Sequence, residues 1–570
     1  MKVSEYIGKF FEEKGIYDIF LVDGGACASI IVGVTKNKKL NYFCPQHEQG
    51  GSFAIDGYYK ASRKVSAMIA TSGPAGQNLI NGIAASWYDS VPAIYITGNV
   101  KTTMLKESDY SRQLGFQESN IVTMVESVTK YTTLITKASY IRYELEKAYH
   151  YATSGRPGPV LIDIPMDIQE TLINETALLG FNQHYKNTFL SSSVENSMLE
   201  IIDLLKNAKK PAILLGGGVW LSDANSLVKQ LINQLQIPYF VTWHMVDFDS
   251  YDNELYGGKV GTFAGEGRNI AIQQCDVLLC LGSRLPVRVT GNNIQTFAQN
   301  AKKIMVNIDQ EEFMTHPILI DKFIQLDIKD FTSKFIDMTK KLEFCNQEWN
   351  NNIKLWKETY GVVKSEYYNM ANVHPYVFME KLSEKLTKDA VIVSEAGGNA
   401  VVTYQTYKAK NGQRIFSNHG NSSLGYALPA AIGAAIALKQ EIICLTGDGG
   451  LAFNIQELQT IKQYSLPIKI IIFNNNCYGI TKAFRDSNFD KNYQGCDAEH
   501  GLSSPDYIEV AKAYEIKTLK INHIDELNDA LDYILDYKEA ILVDVNMKNY
   551  NDYQPRVEGM NSIDNMFPVI

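Results

Sequence analysis

The residues best placed to do chemistry lie between 441 and 475. The apolar run Glu441-Ile442-Ile443-Cys444-Leu445-Thr446 leads into Gly447-Asp448-Gly449-Gly450. A second run, Ile468 to Phe473, ends in Asn474-Asn475, with 24 residues between Gly449 and Asn474. Both runs read as buried parallel strands, and the stretch between them, with Phe453, Leu458 and Ile461 on one face, reads as a helix. In a doubly wound sheet both strand ends open onto one crevice, where ligands bind. The glycines let the backbone approach a phosphate, and the following helix start offers free N–H groups and a positive dipole end. The Asp448 carboxylate and the Asn475 amide oxygen are hard ligands suited to Mg²⁺, leaving the other positions to phosphate oxygens, a carbonyl and water. A GDG triplet alone is also an ordinary turn. The order strand, GDG, helix, strand, NN is what narrows the reading to a metal-bound phosphate.

A second ligand site is expected near the middle of the chain. The strand Pro211 to Leu215 runs into Gly216, Gly217 and Gly218, where a dinucleotide could lie against backbone. Arg284 and Arg288 form a fork suited to phosphate or carboxylate. Asp309, just past a strand ending at Ile308, sits where an acidic residue would meet a nucleotide sugar. An ordinary turn with a surface arginine pair is the alternative.

These loops need sheets to hold them. The chain of 570 residues is long enough for about three domains, and strand-like runs alternate with helical patterns along nearly all of it. The expected fold is α/β, with three doubly wound, mostly parallel-sheet domains. Strands are expected at Tyr17 to Val22, Ser66 to Ala70, Ala93 to Thr97 and Val160 to Ile164. In the middle they are expected at Ala212 to Leu215, Val277 to Leu281 and Lys303 to Ile308, and later at Ala390 to Ser394, Glu441 to Thr446, Ile468 to Phe473 and Ala540 to Val545. Weaker patterning over Thr171 to Asn196 and Lys340 to Lys364 places linkers there. The expected domains are 1–175, 190–340 and 365–548, with a tail at 549–570. Before the first strand, Val3, Ile7, Phe10 and Phe11 recur at helical spacing.

Composition excludes several classes. Apolar residues make up 45% and charged residues 21%, ordinary for a globular chain. The net charge of −9, without a basic run, speaks against nucleic acid as a partner. No apolar stretch is long enough to cross a bilayer, and the N-terminus lacks a signal peptide's apolar core. The eight cysteines (Cys27, Cys44, Cys275, Cys280, Cys345, Cys444, Cys477, Cys496) are scattered without a CxxC pair, so reduced thiols and a cytoplasmic location are expected. No histidine shows metal-ligand spacing.

The segment from Gly447 to Asn475 resembles the thiamine-diphosphate binding motif, and nearly the whole chain is similar to the acetolactate synthase branch of that superfamily. The resemblance names the three domains pyrimidine-binding, central and diphosphate-binding. It implies that Asp448 and Asn475 bind Mg²⁺ by their side chains and Cys477 by its main-chain oxygen. Gly398 and Asn399, with Gly447, Gly449, Gly450, Gly479 and Ile480, fall where the family contacts the cofactor, and Leu424 takes the place of the bulky residue that props it in a bent form. The resemblance gives Glu48 the role of activating the aminopyrimidine, in an apolar pocket that would favour its protonated form. Thr71 to Asn78 follows at a strand end as in the synthases, with Asn78 near the cofactor. Phe116-Gln117-Glu118 matches the active-site pattern, so Gln117 is a catalytic candidate, while Phe116 could equally fill the core. His47 is either a relay or satisfied by backbone. The segment Gly282 to Gly291 is similar to the FAD-contacting part of the synthases. That adds Arg156 to the cofactor contacts and turns Arg288 toward the substrate carboxylate.

The activity so implied is that of a carboligase. It would decarboxylate a 2-keto acid, pyruvate first, and pass the two-carbon unit to a carbonyl acceptor. It would use thiamine diphosphate, Mg²⁺ and a structural FAD, in a homodimer or homotetramer with active sites between subunits. Three departures bear on the acceptor. Met166, Phe484 and Gly398-Asn399 stand where biosynthetic acetolactate synthases carry lysine, tryptophan and Gln-His. A smaller aromatic and a lost cation imply a differently shaped or less anionic acceptor, such as a nucleotide-linked 4-keto sugar. An FAD-dependent pyruvate oxidase, a simple decarboxylase and a non-catalytic nucleotide-binding protein are the alternatives.

Overall fold

The computed structural model describes residues 1–108, 111–182, 192–342, 344, 346–547 and 550–569. Cys345 and Asn549, the start of the expected tail, lie outside them. Among the described residues there are three six-stranded sheets, every neighbouring pair parallel.

The first sheet contains β1 (Asp18–Leu21), β2 (Asn41–Phe43), β3 (Ala67–Ala70), β4 (Ile94–Asn99), β5 (Tyr131–Leu134) and β6 (Val160–Pro165), in the order β2-β1-β3-β4-β6-β5. The second has β7 (Pro211–Leu215), β8 (Tyr239–Val241), β9 (Tyr256–Lys259), β10 (Val277–Leu281), β11 (Lys302–Asn307) and β12 (Lys322–Gln325), in the order β12-β11-β10-β7-β8-β9. The third has β13 (Val391–Ser394), β14 (Arg414–Phe416), β15 (Ile442–Gly447), β16 (Ile468–Asn474), β17 (Lys517–Ile521) and β18 (Ile541–Asn546), in the order β14-β13-β15-β16-β18-β17. The first and third sheets share one strand order. The central sheet has the order of dinucleotide-binding folds, whose chain reverses between β7 and β10 and leaves a crevice beyond their ends.

The interior strands are uniformly buried Ile, Leu, Val and Cys because helices cover both faces. One apolar core joins the first and third domains. In it the helix Glu48–Ser62 crosses Ala427–Leu438 so closely that a Cβ on Gly433 would lie 1.8 Å from the Ala54 carbonyl oxygen, and one on Gly57 2.2 Å from that of Ala430.

Several sequence expectations are corrected. The N-terminal helix, expected within Met1 to Phe20, spans only Val3–Glu13, and β1 begins at Asp18. The linker expected over Lys340 to Lys364 contains the helix Gln347–Thr359, anchored on the central domain by buried Trp349, whose indole Nε1 donates to the Pro211 carbonyl at 3.0 Å. The linker expected over Thr171 to Asn196 falls partly on 183–191, outside the described residues, and the helix Ser192–Asn207 begins before its end. After Gly450 the chain forms three short helical pieces, kinked at Asn454 (φ −136°, ψ 32°), and this turns Phe453 outward at 51% exposure while Leu458 and Ile461 stay buried.

Candidate active site

The crevice of the third sheet lies where the loops after β13 and β15 diverge. Asp448 follows β15, is 2% exposed, and accepts a hydrogen bond from Ser504 Oγ at 3.2 Å. Burial pushes its carboxyl up to about 6, while Ser504 and nearby backbone N–H groups pull the other way. A buried carboxyl with few donors suits a cation. Asn475 follows β16, and its amide nitrogen donates to the Tyr550 carbonyl at 2.6 Å, so its oxygen is free to serve as a ligand. Cys477 is buried, and burial raises its thiol to about 12. Such a thiol is not a ready thiolate ligand, which leaves the main-chain oxygen. Among the described residues no group of three His, Cys, Asp or Glu side chains could hold a metal by itself. A cation here would be held by Asp448 with amide, main-chain, water or phosphate oxygens.

The rest of this crevice is built for an anion. The helix Gly398–Thr406 starts at its floor behind Gly397, which has φ +79°. Asn399 is held by Ser394 Oγ, which donates to its Oδ1 at 3.0 Å. Gly447 faces open space, whereas a Cβ on Gly449 would strike the Tyr478 ring and one on Gly450 the Glu395 side chain. The departure at Gly398 has a steric cause, because a Cβ there would lie 2.1 Å from Tyr553 Oη. Glu395, to which no role is assigned from sequence, is 1% exposed and accepts from the backbone N–H groups of Ala396, Tyr426 and Ala427 at 2.9, 3.2 and 3.2 Å. It thus fixes the loop that carries Leu424.

Glu48 opens the helix Glu48–Ser62, capped by His47, whose Nδ1 accepts from Gln49 N at 3.1 Å. Its side chain is only 13% exposed, and Oε2 accepts from Asn78 Nδ2 at 3.0 Å. Gln117, at φ +61°, packs on Gly73 of the Thr71 to Asn78 segment, since a Cβ there would meet the Gln117 carbonyl oxygen at 3.0 Å. Glu48, Asn78 and Gln117 thus share one edge of the first domain. Phe116 is 84% exposed and does not fill the core. Within the chain, the backbone N–H groups of Gln46 and His47 donate to the Glu457 carboxylate at 3.1 Å each. Glu457 lies nine residues beyond Asp448 at the far end of the helical segment.

A cavity of about 1150 Å³ runs from the central crevice to the third domain. Gly216, Gly217, Gly218, Arg156, Arg284 and Arg288 line it, and its far wall includes Gly397, Leu424 and Ile480. Neither Glu48 nor Asp448 does. Gly216 and Gly218 are glycine because the loops after β7 and β10 cross there, and a Cβ would lie 2.4 Å from Ser283 Cα or 2.7 Å from Gly282 Cα. Arg288 lies over the Trp243 and Phe263 rings, 5.7 and 5.4 Å from their centroids, and its guanidinium pairs with no described residue. An unpaired guanidinium exposed to the cavity is available to an anion. Asp309 does not line the cavity; its carboxylate and that of Glu312 pair with the lining Arg156 at 2.9 and 2.6 Å. Asp327, at the N-terminus of the helix Ile328–Thr339, and His244 line the cavity although the sequence did not single them out. Lys60 joins Asp56 and Asp89 in the wall at 2.8 and 2.7 Å. Burial alone would lower its ammonium, but the two carboxylates outweigh burial and raise it.

Three domain families match, one within each sheet's stretch of chain: the N-terminal thiamine pyrophosphate binding domain over residues 1–124, the central thiamine pyrophosphate enzyme domain over 198–335, and the C-terminal thiamine pyrophosphate binding domain over 395–545. The chain is 30% identical to acetolactate synthase 2, chloroplastic, of Nicotiana tabacum over 571 residues, covering 98% of this chain and 83% of that one. It is also 30% identical to a probable acetolactate synthase large subunit of Methanococcus aeolicus (95% and 92% covered), and 29% identical to the large subunit of Porphyra purpurea (97% and 94%). The chain belongs to the acetolactate synthase family of thiamine pyrophosphate enzymes. The donor set fits that cofactor: a buried carboxylate and a free amide oxygen for the metal, with glycine backbone and a helix start for the diphosphate.

Proposed function

We propose that the protein is a carboligase that uses thiamine diphosphate and Mg²⁺ to decarboxylate a 2-keto acid, pyruvate first, and transfers the two-carbon unit to a carbonyl acceptor. The observation that carries this reading is the buried pair Asp448 and Asn475 at adjacent strand ends, beside glycine backbone and a helix start that suit a diphosphate. Thiamine diphosphate, when bound, supplies an electron sink on which a 2-keto acid can lose CO₂ and its remainder become nucleophilic. Asp448, Asn475 and the main-chain oxygen of Cys477 would hold the cation, which would offset the charge of the diphosphate. Leu424 supports the middle of the cofactor. Glu48, with Oε2 occupied by Asn78, offers Oε1 to a ring nitrogen and moves a proton there. Gln117 orients the substrate.

Arg284 and Arg288 take a nucleotide or a carboxylate in the cavity, and FAD in a structural role is the ligand proposed for the dinucleotide crevice. Because Glu48 and Asp448 share no wall of this cavity, the working site is proposed to form between subunits of a dimer or a dimer of dimers. Among the described residues no helix is long and apolar enough to cross a membrane, and a cytoplasmic location is proposed.

For the acceptor, a second 2-keto acid is the first reading. A nucleotide-linked 4-keto sugar is the second, favoured by the 58% exposure of Phe484 and by the pairing of neighbouring Lys482 with Asp497 at 2.7 Å, which leaves that helix face without a free Lys482 cation. Holoenzyme incubated with labelled pyruvate and a panel of both acceptor classes should yield CO₂ and one carboligation product identified by mass. Aldehyde release indifferent to every acceptor would replace the carboligase reading with a simple decarboxylase, and bleaching of bound flavin by pyruvate would replace it with an oxidase.

A further inference from the structure

The C-terminal segment is tied down over the diphosphate crevice. The Tyr550 carbonyl accepts from Asn475, Gln554 N donates to Tyr376 Oη at 3.2 Å, Gln405 Nε2 donates to the Pro555 carbonyl at 2.6 Å, and Val557 N donates to the Thr262 carbonyl at 2.8 Å. These ties fix Tyr553 between them. Its side chain is 4% exposed, and its hydroxyl makes no hydrogen bond with any described residue. A Cβ added at Gly398 would lie 2.1 Å from that hydroxyl oxygen, and one added at Gly479 2.3 Å from it and 2.4 Å from Asn475 Nδ2. The phenol tip thus touches the first residue of the helix Gly398–Thr406 and the segment just past the candidate metal ligands.

A phenol is protonated at neutral pH and is a donor. Leaving a buried donor without an acceptor is unfavourable by more than the hydrogen bond itself is worth. The groups against it are the first turn of the helix, whose N–H groups have no partner within it, and the Asn475 amide nitrogen, one proton of which goes to the Tyr550 carbonyl; the Asp448 carboxylate is near enough to act on the phenol. A helix start with an unpartnered hydroxyl over it suits an anion once a cation offsets Asp448.

We propose that the Tyr553 hydroxyl is a ligand of the cofactor diphosphate, contributed by the C-terminal segment. Gly398 and Gly479 are glycine because the phenol takes the space above them. The proposal rests on the thiamine diphosphate reading but is separable from it. A phenol that merely plugged the crevice would have to leave when the cofactor enters, and its removal would then tighten binding.

The sign of one measurement decides. Cofactor-stripped wild type and Tyr553→Phe are titrated calorimetrically with thiamine diphosphate plus Mg²⁺, with inorganic pyrophosphate plus Mg²⁺, and with thiamine plus Mg²⁺. Tyr553→Phe should bind both diphosphate probes about tenfold or more weakly, the size of one hydrogen bond to a charged group. Its response to thiamine should be unchanged, and the unliganded variant should melt no lower than the wild type because the hydroxyl has no internal partner. Equal or tighter binding of the diphosphate probes by Tyr553→Phe overturns the proposal and leaves the function standing. A wild type that binds no thiamine diphosphate removes the function first and this ligand with it.

Discussion

Two buried carboxyl groups sit at the mouth of the third sheet. Asp448 takes its donors from Ser504 and the backbone beside the β15 and β16 ends, whereas Glu395, against Gly450, gathers backbone N–H groups from two loops. Burial, partly offset by those N–H groups, raises the Glu395 carboxyl from 4.5 to about 7. A raised carboxyl favours the folded state fully below its unfolded value, and that contribution is lost as pH climbs through 7. Between pH 5 and 8 the unliganded protein should lose about 2–3 kcal/mol through this group alone. Glu395→Gln removes the titration, so urea melts should find the substitution costlier at pH 5 than at pH 8 by that amount; an equal cost at both values would show that Glu395 does not titrate as its burial implies. The two carboxyls also differ in how they can be read. Asp448 is visible in the sequence because its loop is bracketed by two apolar runs and Asn475. Glu395 and Tyr553 are not, since each acquires its role from a segment far along the chain that only folding brings near.

Elements divide in the same way. The eleven strands expected from apolar runs are all present, within a residue or two at their ends. The strands of the three large sheets that the apolar pattern missed among the described residues are β2, β5, β8, β9, β12, β14 and β17, and six of these seven are sheet edges. An edge strand is covered incompletely, so β2, β5, β12 and β17 carry mixed burial and no continuous apolar signature. β8 has three residues, and β9 contains Gly257, Gly258 and Lys259. The crossing of Glu48–Ser62 with Ala427–Leu438 is equally hidden, although it sets the spacing between the Glu48 edge and the Leu424 loop. Because the backbones touch at Gly57 and Gly433, even one methyl is too large. Gly433→Ala should destabilise the protein by about 1–3 kcal/mol despite alanine's better helix propensity, and should lower activity by displacing both helix starts. Gly361, with nothing within 4 Å of an added Cβ, is the control: its replacement by Ala should be silent in the same unfolding and activity assays. A Gly433→Ala protein as stable and active as that control would mean that the crossing does not set the site.

At the scale of the whole molecule, the first and third sheets repeat one strand order although no repeat shows in the residues. A sheet order is kept by which strands are buried, and many sequences satisfy that. The repeat puts a crevice on each outer domain, one presenting Glu48 and the other Asp448 and Asn475. Within the chain the Glu48 edge packs against Glu457 rather than against the metal loop. Two chains paired about a twofold axis would let each crevice close on the other's, and such an isologous pair makes two sites at once. The consequence is quantitative. Glu48→Gln and Asp448→Ala homodimers should each be inactive. In a mixed dimer one site collects both substitutions, and the other joins an intact Glu48 from one chain to an intact Asp448 from its partner. Random reassembly of equal amounts makes about half the dimers mixed, each with one of two sites restored, so activity should return to about a quarter of the wild-type value. If the site instead closes within a single chain, every site in the mixture carries one lesion, and mixing restores nothing.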